Sequence, residues 1–399
     1  MTERLYLQDS FQFSCDAVVT SCAPLGDGYG VTLDRTVFFP NKGGQPCDVG
    51  RIDDAVVRDC SERGDDLLHL CDKPLPVGKA VRAEIDGARR FDIMQQHTGE
   101  HLLSYCAWSL FSAANVGFHC ALTYATLDLD CPLSKEQICA IEQEANRLAA
   151  QDRPVTAKVY ATEEEIDVKL RKHAEGLTAP IRIVTIAGSD ACTCCAPHVR
   201  TTGAIGQLKI AEILPYKGGV RLTFYCGARA LHHAQAMQDT VDALALRFST
   251  GKELLEAAVA KQAAELSDCK KALKAAYANL DDYLAAELRA QATTKKGVAI
   301  LVAALAHVDA KRLRSVAQKT QTNRSVTVLF SVVDDTVHYI LSANGVKDDM
   351  GALIQAVNVA LNGKGGGRGS LAQGCAAAPA GLSDAVEQLR DYFMRAVQG

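Results

Sequence analysis

Gln96-His97-Thr98-Gly99-Glu100-His101 and, well downstream, Cys192-Thr193-Cys194-Cys195-Ala196-Pro197-His198 are the stretches around which the chain is organised. His97 and His101 lie four apart, so on a helix their rings leave the same face. Cys194 and His198 repeat that spacing. Together they offer two histidines, one cysteine and a third histidine, a set that suits a tetrahedral zinc ion with the cysteine bound as thiolate. Either motif alone usually marks nothing more than half-buried side chains; the pairing carries the reading. His97-x-x-Glu100-His101 also fits the inverted zinc-protease pattern, with Glu100 as general base. That pattern calls for a distant carboxylate as third ligand, whereas the partners offered here are a cysteine and a histidine.

At 399 residues the chain is long enough for two to four domains with their own cores. Its 48% apolar and 23% charged residues are those of an ordinary soluble globular protein. The longest apolar run, Val298 to Ala306, is far too short to span a bilayer. No basic segment followed by an apolar core opens the chain, so the expectation is a cytoplasmic protein with no membrane association. Fifteen cysteines in that setting imply free thiols in a reducing cytosol. A net charge of −4 argues against bulk, non-specific nucleic-acid binding and leaves room for a local basic face.

The fold expected from the pattern is α+β. Residues 1–90 read as a β-rich, barrel-like domain, with alternation in Asp16–Thr20 and Gly30–Asp34. Inside it Gly43-Gly44-Gln45-Pro46 requires an irregular, closely approached backbone. Residues 91–235 form an α+β unit. Asp92 to Phe111 reads as the helix carrying His97 and His101, Val116 to Asp130 as a strand pair, and Ser134-Lys135-Glu136-Gln137 as a capping box opening a second helix. Strands are expected at Pro154–Tyr160, Ile181–Ile186, Ile205–Ile210 and Val220–Tyr225. Residues 236–292 shift to Ala, Leu, Glu and Lys. Val259, Ala263, Leu266, Lys270, Leu273, Tyr277, Leu280 and Leu284 there, with Lys270 the one polar member, make the seam of a coiled coil or helical hairpin, which leads either to a homodimer or to packing on its own domain. Residues 293–399 return to α/β character. They include a Gly-rich loop, Gly363–Ser370, whose Lys364 and Arg368 suit a phosphate backbone. An acid-free basic run (Lys311, Arg312, Arg314, Lys319, Arg324) reads by default as a solvated helix face.

The motifs resemble those of the free-standing alanyl-tRNA editing proteins, the AlaX group in its long form, and the matching parts of alanyl-tRNA synthetase. Thr36-Val37-Phe38-Phe39-Pro40 through Gly43-Gly44-Gln45-Pro46-x-Asp48-x-Gly50 is similar to that family's Gly-rich motif. His97-Thr98-Gly99-Glu100-His101-Leu102-Leu103-Ser104 resembles its HxxxH helix. Cys194-Cys195-Ala196-Pro197-His198-Val199, followed by Thr202-Gly203-Ala204-Ile205-Gly206, resembles its CxxxH segment. Lys217-Gly218-x-x-Arg221-Leu222-x-Phe224 and Gly227-x-Arg229-Ala230-Leu231 resemble its closing strand. The tail, on Gly365-Gly366-Gly367-Arg368, resembles the last domain of the synthetase, and no synthetase core is visible.

The resemblance implies a trans-editing hydrolase that deacylates mischarged tRNA(Ala), chiefly seryl- and then glycyl-tRNA(Ala). The other readings are a zinc-stabilised tRNA-binding module without chemistry and the inverted-motif protease. It implies Zn2+ held by His97, His101, Cys194 and His198. Glu100, Thr36 and Gln45 would serve the chemistry, and Gly43, Gly44, His119, Arg221, Lys364 and Arg368 would contact substrate. Nucleotide and ATP binding come with the synthetase as family associations. Two departures stand out. Where the family often has Cys-Gly-Gly-Thr-His, this chain has Cys195-Ala196-Pro197 in the middle, and Cys192 and Cys195 both compete with Cys194 as ligand. His119 stands where the synthetase pattern has a glutamine.

Overall fold

The computed structural model describes residues 1–171, 180–377 and 382–396. The protein is α+β and divides into two compact units, Met1–Leu246 and Arg247–Gly399. The break lies beyond residue 235, because a helix, α3 (Ala228–Arg247), runs through that point.

The first unit begins as a closed antiparallel barrel. Its strands follow one another round the wall as Ser14–Leu25, Gly28–Leu33, Asp66–Cys71, Ala55–Arg63, Gly50–Ile52 and Ala80–Ile85. The period-two pattern does the sorting: Cys15, Ala17 and Val19 face the core, while Asp16, Val18 and Thr20 face outward. Phe38, Phe39, Leu33, Ile52 and Leu67 fill the interior. Each such side chain contributes about 1.5–3 kcal/mol on leaving water.

Helix α1 (Gly87–Phe111) follows. Asp86 caps it, its carboxylate accepting from the Arg89 amide at 3.0 Å, so the helix starts before Asp92. Helix α2 (Lys135–Ala149) opens on the expected capping box, Ser134 with Gln137, and buries Ile138, Ile141, Ala145 and Leu148. Both helices pack with a four-stranded antiparallel sheet ordered Leu208–Tyr216, Gly219–Cys226, Ala125–Leu129, Asn115–Cys120. Gly99 makes the close approach possible: a Cβ there would meet the Cys226 sulfur at 2.3 Å. Gln96 completes the tie, accepting from the Cys226 amide at 2.8 Å and donating to its carbonyl at 3.1 Å.

The strand expected at Ile205–Ile210 begins at Leu208 instead. Thr202–Ile205 forms a 3-10 turn, because the Thr202 hydroxyl donates to the Leu148 carbonyl at 3.0 Å and accepts from the Arg153 amide at 2.8 Å. A small sheet of Val155–Tyr160, Ile181–Ile186 and Ala191–Thr193 delivers the cysteine-rich segment.

The second unit holds a six-stranded sheet ordered Thr293–Lys295, Val298–Ala306, Ser325–Val333, Thr336–Asn344, Leu371–Ala377, Lys364–Arg368. Alternate residues of its central strands feed two cores. Ile300, Val302 and Phe330 meet α6 (Met350–Leu361) and α7 (Leu382–Ala396). Leu301, Ala303 and Leu329 meet α5 (Ala310–Thr320) and the end of α4 (Leu255–Ala290).

Two expectations are corrected here. Lys364–Arg368 is an edge strand and not a loop; its glycines allow close pairing, since a Cβ on Gly367 would strike the Leu371 carbonyl at 2.2 Å. The basic run is not a solvated face throughout. Arg312 pairs with Asp281 at 2.9 Å and lies over the Tyr277 ring, and Lys319 reaches Asp282 at 2.7 Å. The acids come from α4, outside the run itself. Of the seam on α4, Leu284 packs against a core, whereas Val259, Leu266, Leu273 and Leu280 are exposed. Among the described residues no helix is long and apolar enough to cross a membrane.

Candidate metal centre

The helical period brings His97 and His101 to one face of α1, their ring centroids 5.4 Å apart. The loop after Ala191–Thr193 lays Cys194 and His198 against them. Cys194 Sγ lies 3.4 Å from His97 Nε2 and 3.3 Å from His198 Nε2. One donor atom from each of His97, His101, Cys194 and His198 falls within 4.8 Å of all the others. Metal–nitrogen and metal–sulfur bonds of tetrahedral length place neighbouring donors about 3.3 Å (N to N) and about 3.6 Å (N to S) apart. The sulfur-to-imidazole distances match that edge length, so the residues fit such an ion.

The electrostatics separate the three cysteines. Burial pushes each thiol up. At Cys194 the neighbouring His97 and His198, with hydrogen bonds from His101 and His198, overcome burial and hold it well below the usual thiol range. Cys192 and Cys195 stay raised, chiefly by burial. Cys194 is therefore the most readily ionised thiol of the three.

A cavity of about 400 Å³ opens on His97, His101 and Cys194, within the usual range for small-ligand pockets of about 300–1,000 Å³. Its lining includes Gly43, His97, Glu100, His101, Phe118, Arg171 and Cys192–Ala196. Glu100 is buried in its wall. Oε1 accepts from Ser104 Oγ and Asn115 Nδ2, both at 2.5 Å, while Oε2 lies 3.8 Å from His101 Nε2.

The Gly-rich loop lies over this helix and is clamped to it. Buried Arg90 of α1 donates to both Asp48 oxygens, at 3.0 and 3.1 Å from Nε, and to the Val37 carbonyl at 2.6 Å. Asp48 also accepts from the Phe39 amide at 2.6 Å. Gly44, at φ +75°, sits on the strand Asn115–Cys120: its carbonyl accepts from the Cys120 amide at 2.6 Å, and a Cβ would meet the Phe118 carbonyl at 2.4 Å. Gln45 is buried, its Oε1 2.6 Å from His97 Nδ1.

The remaining expected site residues fall elsewhere. Thr36 is fully buried inside the barrel, 2.9 Å from His69 Nε2, and does not line the cavity. His119 is exposed on the strand whose Gly117 and Phe118 line the cavity, and is not itself in the lining. Arg221 is spent on Asp128 across the sheet, at 2.6 and 2.7 Å, with Tyr216 beneath it. Lys364 and Arg368 are exposed in the second unit.

The sequence reading missed three participants: Thr98, 3.0 Å from His198 Nδ1; Asp190, 3.3 Å from His101 Nδ1; and Arg171, which pairs with Asp190. One signal was available for Asp190, an acid two residues ahead of Cys192 within the ligand segment.

The family model described as "Threonyl and Alanyl tRNA synthetase second additional domain" matches residues 181–221, and the "DHHA1 domain" model matches 297–395. The chain is 29% identical to alanyl-tRNA editing protein AlaX-L of Pyrococcus horikoshii, over 98% of this chain and 100% of that protein. It is 30% identical to the alanine–tRNA ligase of Methanoculleus marisnigri, over all of this chain and 44% of the ligase. It is 31% identical to alanyl-tRNA editing protein Aarsd1 of Mus musculus, over 62% of this chain and 64% of that protein. A solved structure, the C-Ala domain of Aquifex aeolicus alanyl-tRNA synthetase, aligns at 25% identity and a TM-score of 0.24, covering 25% of this chain and 95% of that one.

Proposed function

We propose, for a chain similar along its whole length to the long-form alanyl-tRNA editing proteins, that it hydrolyses the ester bond of tRNA(Ala) charged with the wrong amino acid, serine chiefly and glycine second. The observation that supports this most is the group of three imidazoles and one cysteine sulfur, reaching a cavity whose wall also carries a carboxylate and a glycine loop. The need for such an enzyme is physical. A pocket shaped for alanine's methyl group discriminates against near-isosteres by only ~1–3 kcal/mol, so a second site that reads the hydroxyl is required.

His97, His101, Cys194 and His198 would hold Zn2+. With four protein ligands such an ion, when bound, would organise the pocket, and would polarise a carbonyl or a water only where its coordination expands to a fifth position. Glu100 takes the proton of the attacking water at Oε2, while Ser104 and Asn115 fix its other oxygen. Gly43, at φ +66° with no side chain, leaves the loop backbone open to the aminoacyl end. His119 serves the tRNA end beside the cavity mouth. Lys364 and Arg368 engage phosphates, and the exposed seam of α4 pairs two copies. Arg221 stays committed to Asp128 and Thr36 to His69.

A deacylation assay on seryl-, glycyl- and alanyl-tRNA(Ala), with and without a chelator, tests this reading. Serine and glycine should be released, alanine spared, and release lost with the metal. No release from any substrate would leave a tRNA-binding module. Equal release of alanine would remove the editing role.

A further inference from the structure

We infer that Asp190, gripped by Arg171, is a positioning residue for His101, and that it completes a set of three acceptors each holding one metal-facing imidazole in a single tautomer. The inference rests on the proposed metal site.

The other two rings set the pattern. Thr98 gives its hydroxyl proton to the Met94 carbonyl at 2.7 Å, so its oxygen is left to accept from His198 Nδ1–H at 3.0 Å. That leaves His198 Nε2 bare toward Cys194, 3.3 Å away. Gln45 Oε1, an acceptor, takes the His97 Nδ1–H at 2.6 Å, and His97 Nε2 faces the same sulfur at 3.4 Å. His101 repeats this with a charged partner. Its Nδ1 lies 3.3 Å from Asp190 Oδ2, and its Nε2 faces Glu100 on the cavity side.

Arg171 makes the arrangement rigid. Its Nε reaches Asp190 Oδ1 at 2.7 Å and its second terminal nitrogen reaches Oδ2 at 3.1 Å, a fork that fixes the carboxylate plane. The Cys192 thiol points at the same carboxylate oxygen, 3.7 Å away, and lies 3.4 Å from His101 Nδ1. Asp190 Oδ2 thus offers one acceptor within reach of both His101 Nδ1 and the Cys192 thiol. The neighbouring thiol stays outside the ligand set. A pair of fully buried Asp190 with largely buried Arg171 is a costly way to fill space, since apolar residues of the same volume pack as well or better. Orienting a ligand is the service that apolar residues cannot supply, and loss of such outer partners typically costs about 10- to 100-fold in metal affinity.

The test is zinc affinity of the full chain by competition with a chromophoric chelator, together with the visible spectrum of the cobalt(II)-loaded protein. Asp190→Asn keeps the shape and weakens the acceptor. It should bind one ion per chain about 10- to 100-fold more weakly, with a shifted cobalt spectrum. Arg171→Gln, a second variant should the first fail to fold, should weaken binding in the same direction. Arg171→Lys should restore part of the loss. Cys192→Ser should leave affinity and spectrum unchanged. Unchanged affinity in both Asp190→Asn and Arg171→Gln overturns the inference. So do two ions per wild-type chain with one lost in Cys192→Ser, because His101, Asp190 and Cys192 would then be a metal site of their own. A wild-type chain that binds no stoichiometric metal overturns the metal reading itself, whatever the variants do.

Discussion

Cys194 is the one sulfur of the segment that faces both His97 Nε2 and His198 Nε2, whereas Cys192 faces His101 Nδ1 and the Asp190 carboxylate. Metal analysis should therefore find one zinc per wild-type chain, close to none in Cys194→Ala, and one again in Cys192→Ala and Cys195→Ala. Thr36 belongs to a different account. It donates to His69 Nε2, and His69 Nδ1 donates to the Val31 carbonyl at 3.1 Å, all inside the barrel. Thr36→Val leaves a buried nitrogen without a partner. Denaturant unfolding should show a loss of about 1–3 kcal/mol, with the seryl-to-alanyl rate ratio unchanged. His69 also sets a pH limit. Burial lowers it to about 4 from 6.5, so between those values the unfolded chain binds a proton that the folded chain does not. Stability from this group is intact above pH 6.5 and falls as pH drops toward 4, by about 3 kcal/mol in total. Unfolding midpoints measured across that range should lose this slope in a His69→Gln variant that still folds.

At the scale of elements, the Gly-rich loop and α1 act as one piece because Asp48 and Arg90 lock them. Asp48→Ala would strand a guanidinium that is 1% exposed. Removing one partner of such a buried pair typically costs about 3–5 kcal/mol, and chemical denaturation should show a loss of that size. Gly44 sets the second contact of the loop, with the strand Asn115–Cys120. Gly44→Ala forces a positive-φ residue and a collision with the Phe118 carbonyl, lifting the loop from the cavity mouth. Deacylation should fall at least tenfold, about 1.4 kcal/mol, while metal content stays at one per chain.

The whole molecule separates chemistry from reach. Every donor, the cavity and three of the hydrophobic cores lie within Met1–Leu246, while Lys364 and Arg368 lie in the other unit. A chain ending at Leu246 should keep its single-turnover rate at saturating tRNA. It should also bind tRNA more weakly, with a shallower dependence of affinity on salt, because fewer phosphates are neutralised. Binding isotherms at several salt concentrations check this; an unchanged slope would give the second unit another role.

Local periodicity made much of this legible in the chain alone. Spacing of four put His97 and His101 on one helix face, alternation marked the barrel strands, and Ser134 with Gln137 announced α2. These are properties of neighbours in sequence, and backbone geometry enforces them wherever the segment sits. What lies across from a side chain is not such a property. Cys192, Cys194 and Cys195 share one short segment, and only tertiary packing decided which sulfur meets two imidazoles. Thr36 and Gln45 flank the same loop, yet one turns into the barrel and the other to a histidine 52 residues away. Arg221 found Asp128 through strand pairing, and Asp190 found His101 through the approach of a separate sheet to α1. The donor types were written in the sequence, whereas the partners that orient them come from long-range contacts, which a one-dimensional pattern does not encode.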